Sequence, residues 1–424
     1  MPQARAGTTG QMVGMSDSDE RPKLHQYAGG ATIIHDKQDF SLVLGGPLFQ
    51  LLWRAHLSDG GLGLLRRRVL FLSLGSWLPL LLLTALEGNL VGSAVAVPFW
   101  KDLAVHVRFL VAIPLLVLAE LVVHQRLVGI GRTFVDRNLI QEPDLPRFFG
   151  AISSAFRLRN SVLAECLLLV LVYGFGVFFV WHRYTTLNAP TWYAVPTDGS
   201  SRLFVAGYWY RYISLPIFQF LLIRWYFRLF IWGRFLWQVS DIHLDLIPTH
   251  PDRVGGLGFL SNTVYAFTLL VVAHGALLSG QIADYIFFSA DSLLDFKLEI
   301  AIVGGFLVCV IFGPLLTFMN QLAAAKRTGL SEYATLARLY VSEFDRKWLR
   351  GGARSDEPLL GSADIQSLAD LGNSFEVVKG MRSVPITKDA ILQLGVAFLL
   401  PLTPLALTIM PLDQLLKQLV GLLL

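Results

Sequence analysis

Residues 208–232 read YWYRYISLPIFQFLLIRWYFRLFIW. The run holds three charges, Arg211, Arg224 and Arg228, and no Lys, Asp or Glu. As a helix it is about 38 Å long, more than the ~30 Å hydrocarbon core of a bilayer. Such a stretch reads as a membrane span, and the arginines inside it are the costly feature that needs a partner or a purpose.

Similar runs recur at Val69–Glu87, Leu103–Val123, Ser161–Trp181, Phe259–Gly280, Leu298–Asn320 and Ala390–Pro411. Hydrophobic residues make up 54% of the 424 and charged residues 16%, against about 25% charged in soluble domains. Mean hydropathy of +0.55 agrees. The expectation is an all-α polytopic membrane protein with about seven transmembrane helices, multi-pass in a cell membrane (plasma or bacterial inner).

Lysine and arginine set the orientation. With the N-terminus cytoplasmic, the inside segments carry 26 of the 35 and the outside segments 5. That places the C-terminus outside. It also accounts for the basic balance through topology and attraction to anionic lipid, so no nucleic-acid partner is implied. In span count and orientation the chain is similar to the inverted seven-span channels of insect chemosensation, without a shared motif. Zinc-dependent seven-span hydrolases share the orientation, but the seventh span here contains no histidine.

The chain divides into five parts. Residues 1–39 are polar and read as a disordered tail. Residues 40–68 (FSLVLGGPLFQLLWRAHL and the basic run after it) read as an interfacial amphipathic segment and basic stop. Residues 69–322 hold six spans, and 323–388 read as a cytoplasmic helical hairpin. Residues 389–424 hold the seventh span and an amphipathic end. No breaker separates the sixth span from the hairpin, so one continuous rod is expected. Apolar faces at Leu336, Leu339, Phe344 and Trp348, and at Ile365, Leu368, Phe375, Val378 and Met381, suggest a homo-oligomer packed through the hairpin. Cys166 and Cys309, both within spans, read as buried thiols.

Charged residues inside the membrane sort by depth. Glu120, Glu165, Arg224 and Arg228 lie toward the cytoplasm. Arg108 and Arg211 lie toward the outside, near Asp284, Asp295 and Glu299 in the acidic connection QIADYIFFSADSLLDFKLE. They read either as an ion path, with an acidic mouth and a charged inner constriction, or as structural charge pairs between helices. Proline at 314, 401 and 404 predicts broken spans, which line water in transporters but also occur in static bundles.

The stretch DIHLDLIPTHPDRVGGLGFLS, Asp241–Ser261, precedes the fifth span. Asp241, His243, Asp245, His250 and Asp252 could hold a divalent transition metal, although no HExxH frame is present. Arg253 with Gly255, Gly256 and Gly258 could grip an anion or form a hinge. Pro251, with Thr249 or Asp252 as a cap, equally reads as a plain elbow. Taken together, these features favour an ion channel or solute transporter. A membrane receptor or scaffold and a metal-dependent membrane enzyme are the alternatives, and catalysis has the least support.

Overall fold

The computed structural model describes residues 40–43, 45–47, 64–92, 94–174, 176, 190–197, 200–289, 292–354, 357–359 and 361–408. They form helices α1 (Leu65–Leu86), α2 (Leu103–Asp136), α3 (Leu145–Arg159), α4 (Val162–Gly174), α5 (Val205–Ser240), α6 (Leu257–Ser289), α7 (Leu293–Leu349), α8 (Ala363–Lys379) and α9 (Lys388–Ala406). The one hairpin among them pairs β1 (Ala194–Thr197) with β2 (Ser200–Leu203). Six helices, α1, α2, α5, α6, α7 and α9, are long and apolar enough to cross a membrane. The chain has the architecture of an all-α, multi-pass membrane protein. The expected third span begins as α4, and its remainder falls outside the described residues, as do the 1–39 tail and residues 409–424.

Helix α6 packs against α2 and α9, while α5 packs against α3, α4 and the middle of α7. Helix α7 is apolar all round from Ile300 to Leu316, and Ile302 and Phe306 face outward, as a lipid-facing helix requires. The prolines tighten their helices and do not break them. Pro314 sits in a tightened turn over Gly313–Phe318 and Pro401 in another over Leu400–Leu402, because proline removes a helical N–H and crowds the preceding turn.

Helix α7 is continuous over 57 residues. At 1.5 Å per residue it is about 86 Å long, well beyond a ~30 Å hydrocarbon core. Helix α8 folds back along its far end, where Lys347 Nζ reaches Glu357 (2.5 Å) and Asp364 (2.8 Å). Tyr340 donates to the Asp364 carbonyl at 3.0 Å. This pair of helices marks one end of the molecule, called here the hairpin end.

Two expectations are corrected. The start of the 40–68 segment does not lie on an interface: Phe40, Leu42 and Val43 are wholly buried, and Phe40 stacks on Phe235 with ring centroids 4.3 Å apart. Phe156 and Trp232 complete its pocket, so Phe40–Val43 form a wedge between α3 and α5, while residues 48–63 of the expected interfacial segment lie outside the described residues. The cysteines are not buried, since Cys166 and Cys309 are both exposed on helix flanks. In a bilayer the flank of a span meets lipid, which accepts a thiol as readily as a core does.

Candidate functional site

The Asp241–Ser261 stretch is the joint between the bundle and the hairpin end. Its first half is extended, and Ile242 and Leu244 turn inward while Asp241, His243 and Asp245 stay exposed. Leu244 bridges Ile140. Gln321 of α7 donates to the carbonyls of Ser240 (2.6 Å) and Ile242 (2.7 Å). No group of three metal-ligating side chains occurs among the described residues. Of Asp241, His243, Asp245, His250 and Asp252, the chain brings His250 and Asp252 together and leaves Asp241, His243 and Asp245 exposed.

The Asp252 carboxylate accepts from the backbone N–H groups of Val254 (2.8 Å), Gly256 (3.2 Å) and Gly258 (2.8 Å), with His250 at 2.9 Å. Burial pushes this carboxyl up, but the three N–H bonds and His250 outweigh it and hold the group below its ordinary value. The Gly256 and Gly258 amides, which the sequence offered to an external anion, are gripping Asp252. Arg253 is exposed, and its carbonyl receives the Arg382 N–H at 2.7 Å. Gly255 lies against Leu246 and Met381. The stretch is an elbow, clamped to the segment that follows α8.

Near the hairpin end, four charges singled out in the sequence converge. Glu120 on α2 accepts from Arg228 on α5 at 2.8 Å, and Arg224 stands 3.5 Å from the same carboxylate. Arg224 also reaches Glu165 of α4 at 3.3 Å. The fifth member, Arg68 on α1, donates to Glu120 at 2.5 Å. All five are buried. Sequence reading missed Arg68 because it sits beside Arg66 and Arg67, which are exposed. Only three-dimensional packing distinguishes it. Among the described residues three guanidiniums face two carboxylates here, and Arg68 Nε and Nη1 have no hydrogen-bond partner.

Arg159 borders the network and donates to the Ser41 carbonyl at 2.5 Å. Burial, and then the charge of Arg228, push its guanidinium down to about 10. Gly46 (φ +91) lets the wedge pass between them, because a Cβ there would stand 3.0 Å from the Arg159 carbonyl and 3.2 Å from Glu165.

At the opposite end lies a cavity of about 300 Å³. Asp102, Arg108, Tyr193 and Tyr210 form its buried part, and Asp284 and Tyr285 stand nearer the mouth. Asp284 accepts from the Leu103 and Ala104 N–H groups (2.9 and 3.1 Å). Asp102 caps the same helix start through Val105 (2.9 Å) and accepts from Trp192 Nε1 (2.8 Å). The two carboxyls thus meet at the start of α2. Arg108 donates to the Tyr210 hydroxyl. Both residues sit where their helices widen to π-type turns, Val107–Ala112 and Tyr210–Ser214. Such turns cost helix stability and recur at functional sites. Asp102 and Tyr210 carried no sequence signal, since what joins them to Arg108 and Asp284 is tertiary.

The other outer charges do not join the cavity. Arg211 lies over the Tyr212 ring, 5.3 Å from its centroid. Asp295 forms a reciprocal cap with Ser292 at the start of α7, and Glu299 is exposed one turn later. Between Arg108 and Glu120, about 18 Å along α2, the side chains of Phe109, Ile113 and Leu116 are packed in the core. No protein-family model, curated protein or solved structure matches the chain.

Proposed function

We propose that this integral membrane protein is a solute transporter, with the cavity around Asp102, Arg108 and Asp284 as its binding site. The observation that carries the reading is the pairing of two features in one helix bundle. A cavity walled by buried charged groups opens at one end, and packed core and a buried ion network close the other. An open channel needs a continuous wet path, whereas a carrier needs a site that is sealed on one side at a time.

In this reading the hairpin end is cytoplasmic, following the lysine and arginine asymmetry, and the cavity faces outward. The Glu120 network is the inner closure. Its ion pairs join α1, α2, α4 and α5, so breaking and remaking them is how those helices would part. The widened turns at Arg108 and Tyr210 give α2 and α5 a place to adjust near the solute.

The test is uptake. Vesicles holding the purified protein are incubated with a mixture of small water-soluble metabolites, and their contents are read by mass spectrometry. The account expects selective uptake of one chemical group of solutes, abolished in Arg108→Gln. Contents indistinguishable from those of empty vesicles contradict it.

A further inference from the structure

The geometry points to an organic ammonium ion as the solute: a primary or secondary amine in its charged form, on a small apolar body. The inference rests on the cavity being the binding site, as proposed above, and it adds the class of ligand.

The first argument is charge. The lining carries two carboxyls, Asp102 and Asp284, against one guanidinium, Arg108. Carboxyls brought together hold a proton between them, and an ammonium ion that takes that proton's place leaves the charge of the set unchanged. Both carboxyls meet at the start of α2, Asp284 on the Leu103 and Ala104 N–H groups and Asp102 on that of Val105.

The second argument is hydrogen-bonding capacity. Each carboxylate oxygen of Asp284 already accepts one backbone N–H, and each of Asp102 accepts one N–H, from Val105 or from Trp192. A carboxylate oxygen has two acceptor positions, so each has capacity left. The existing bonds fix both groups firmly against the start of α2. An ammonium N–H can occupy the position of a proton held between them, which favours an N–H-bearing ammonium over a quaternary one. A bare metal ion is disfavoured because the fixed oxygens cannot gather round it.

The third argument is the wall. Tyr193, Tyr210 and Tyr285 line the cavity together with Phe287 and Phe288. Aromatic faces attract cations and also accept an apolar body, a combination suited to an organic ammonium. The volume of about 300 Å³ is at the small end of ligand sites, so the body is compact.

The experiment is calorimetric titration of the purified full-length protein in detergent at pH 7.5. The probes are phenethylammonium, its neutral near-isostere 2-phenylethanol, the anion phenylacetate and potassium ion. Phenethylammonium is expected to bind, with the alcohol about tenfold or more weaker and no competition from potassium. Asp284→Asn should weaken phenethylammonium about tenfold and leave 2-phenylethanol unchanged. Tyr285→Leu, which leaves the helix cap intact, should weaken it several-fold. Failure of phenethylammonium to bind, or equal binding of amine and alcohol, overturns the inference. The two proposals fail separately. Ammonium binding without uptake in vesicles refutes the transporter and keeps this site, whereas uptake of anions or neutral solutes alone refutes the ammonium class and keeps the transporter.

Discussion

Arg68 and Glu120, 52 residues apart, are joined by a 2.5 Å hydrogen bond, with only 1% and 4% of their side chains exposed. The same carboxylate accepts from Arg228 at 2.8 Å. One glutamate therefore holds α1 and α5 onto α2, and three guanidiniums depend on it. Burying charges is favourable only when the partners stay in place.

Glu120→Gln is expected to lose about 3–5 kcal/mol, because it strands arginines in a dry setting. Adding Arg228→Met should recover part of that loss, giving a coupling of about 1–3 kcal/mol in a double-mutant cycle. Thermal unfolding in detergent measures both. Strict additivity would show that the network contributes no coupling.

Asp252 supplies a pH-dependent contribution. Its folded value is depressed, so the stability it adds is fully present above the unfolded carboxyl value of about 4 and is lost as pH falls through the folded one. Wild type should exceed Asp252→Asn in thermal stability at pH 7, and the gap should close as pH falls below about 4. A gap that widens on acidification would refute the assigned role.

At the elbow, backbone conformation matters more than ligands. Gly256 has φ +100, and a Cβ there would stand 3.2 Å from Leu139, whereas His243 is exposed. Gly256→Val should cost several kcal/mol from left-handed strain and crowding. His243→Ala should stay within about 0.5 kcal/mol. Purified protein should carry no stoichiometric transition metal, as elemental analysis would report. Tightly bound metal that vanishes in His243→Ala would reverse this account.

The spans were legible because a bilayer demands long apolar helices. Four members of the ion network were legible because charge inside such runs is rare. Arg68 was not, since at the end of a basic run a buried arginine and a solvated one look alike. The Phe40–Val43 wedge was also hidden, because its partners lie in α3 and α5, more than a hundred residues away. The Asp/His stretch suggested a metal because ligand types are visible in sequence, while the backbone N–H groups that occupy Asp252 are not. The cavity needed the meeting of Asp102 with Asp284 and of Arg108 with Tyr210, and neither spacing nor periodicity encodes that.

Orientation has its own test. Cysteines placed at Val91, which is 66% exposed near the cavity end, and at Arg350 near the hairpin tip should label differently in sealed cells. An impermeant thiol reagent should reach position 91 and not position 350. Labelling at 350 would invert the proposed orientation.

The most direct measurement of the transporter claim is the accessibility of Val105, which lines the cavity and is 1% exposed. Val105→Cys is made in a Cys166→Ala, Cys309→Ala background and reconstituted in vesicles of known orientation. A carrier exposes its site alternately, so the thiol should react with an impermeant reagent added from the cavity side and also from the hairpin side. Reaction from the cavity side alone, whatever solute is present, would mean a fixed binding site and would contradict transport.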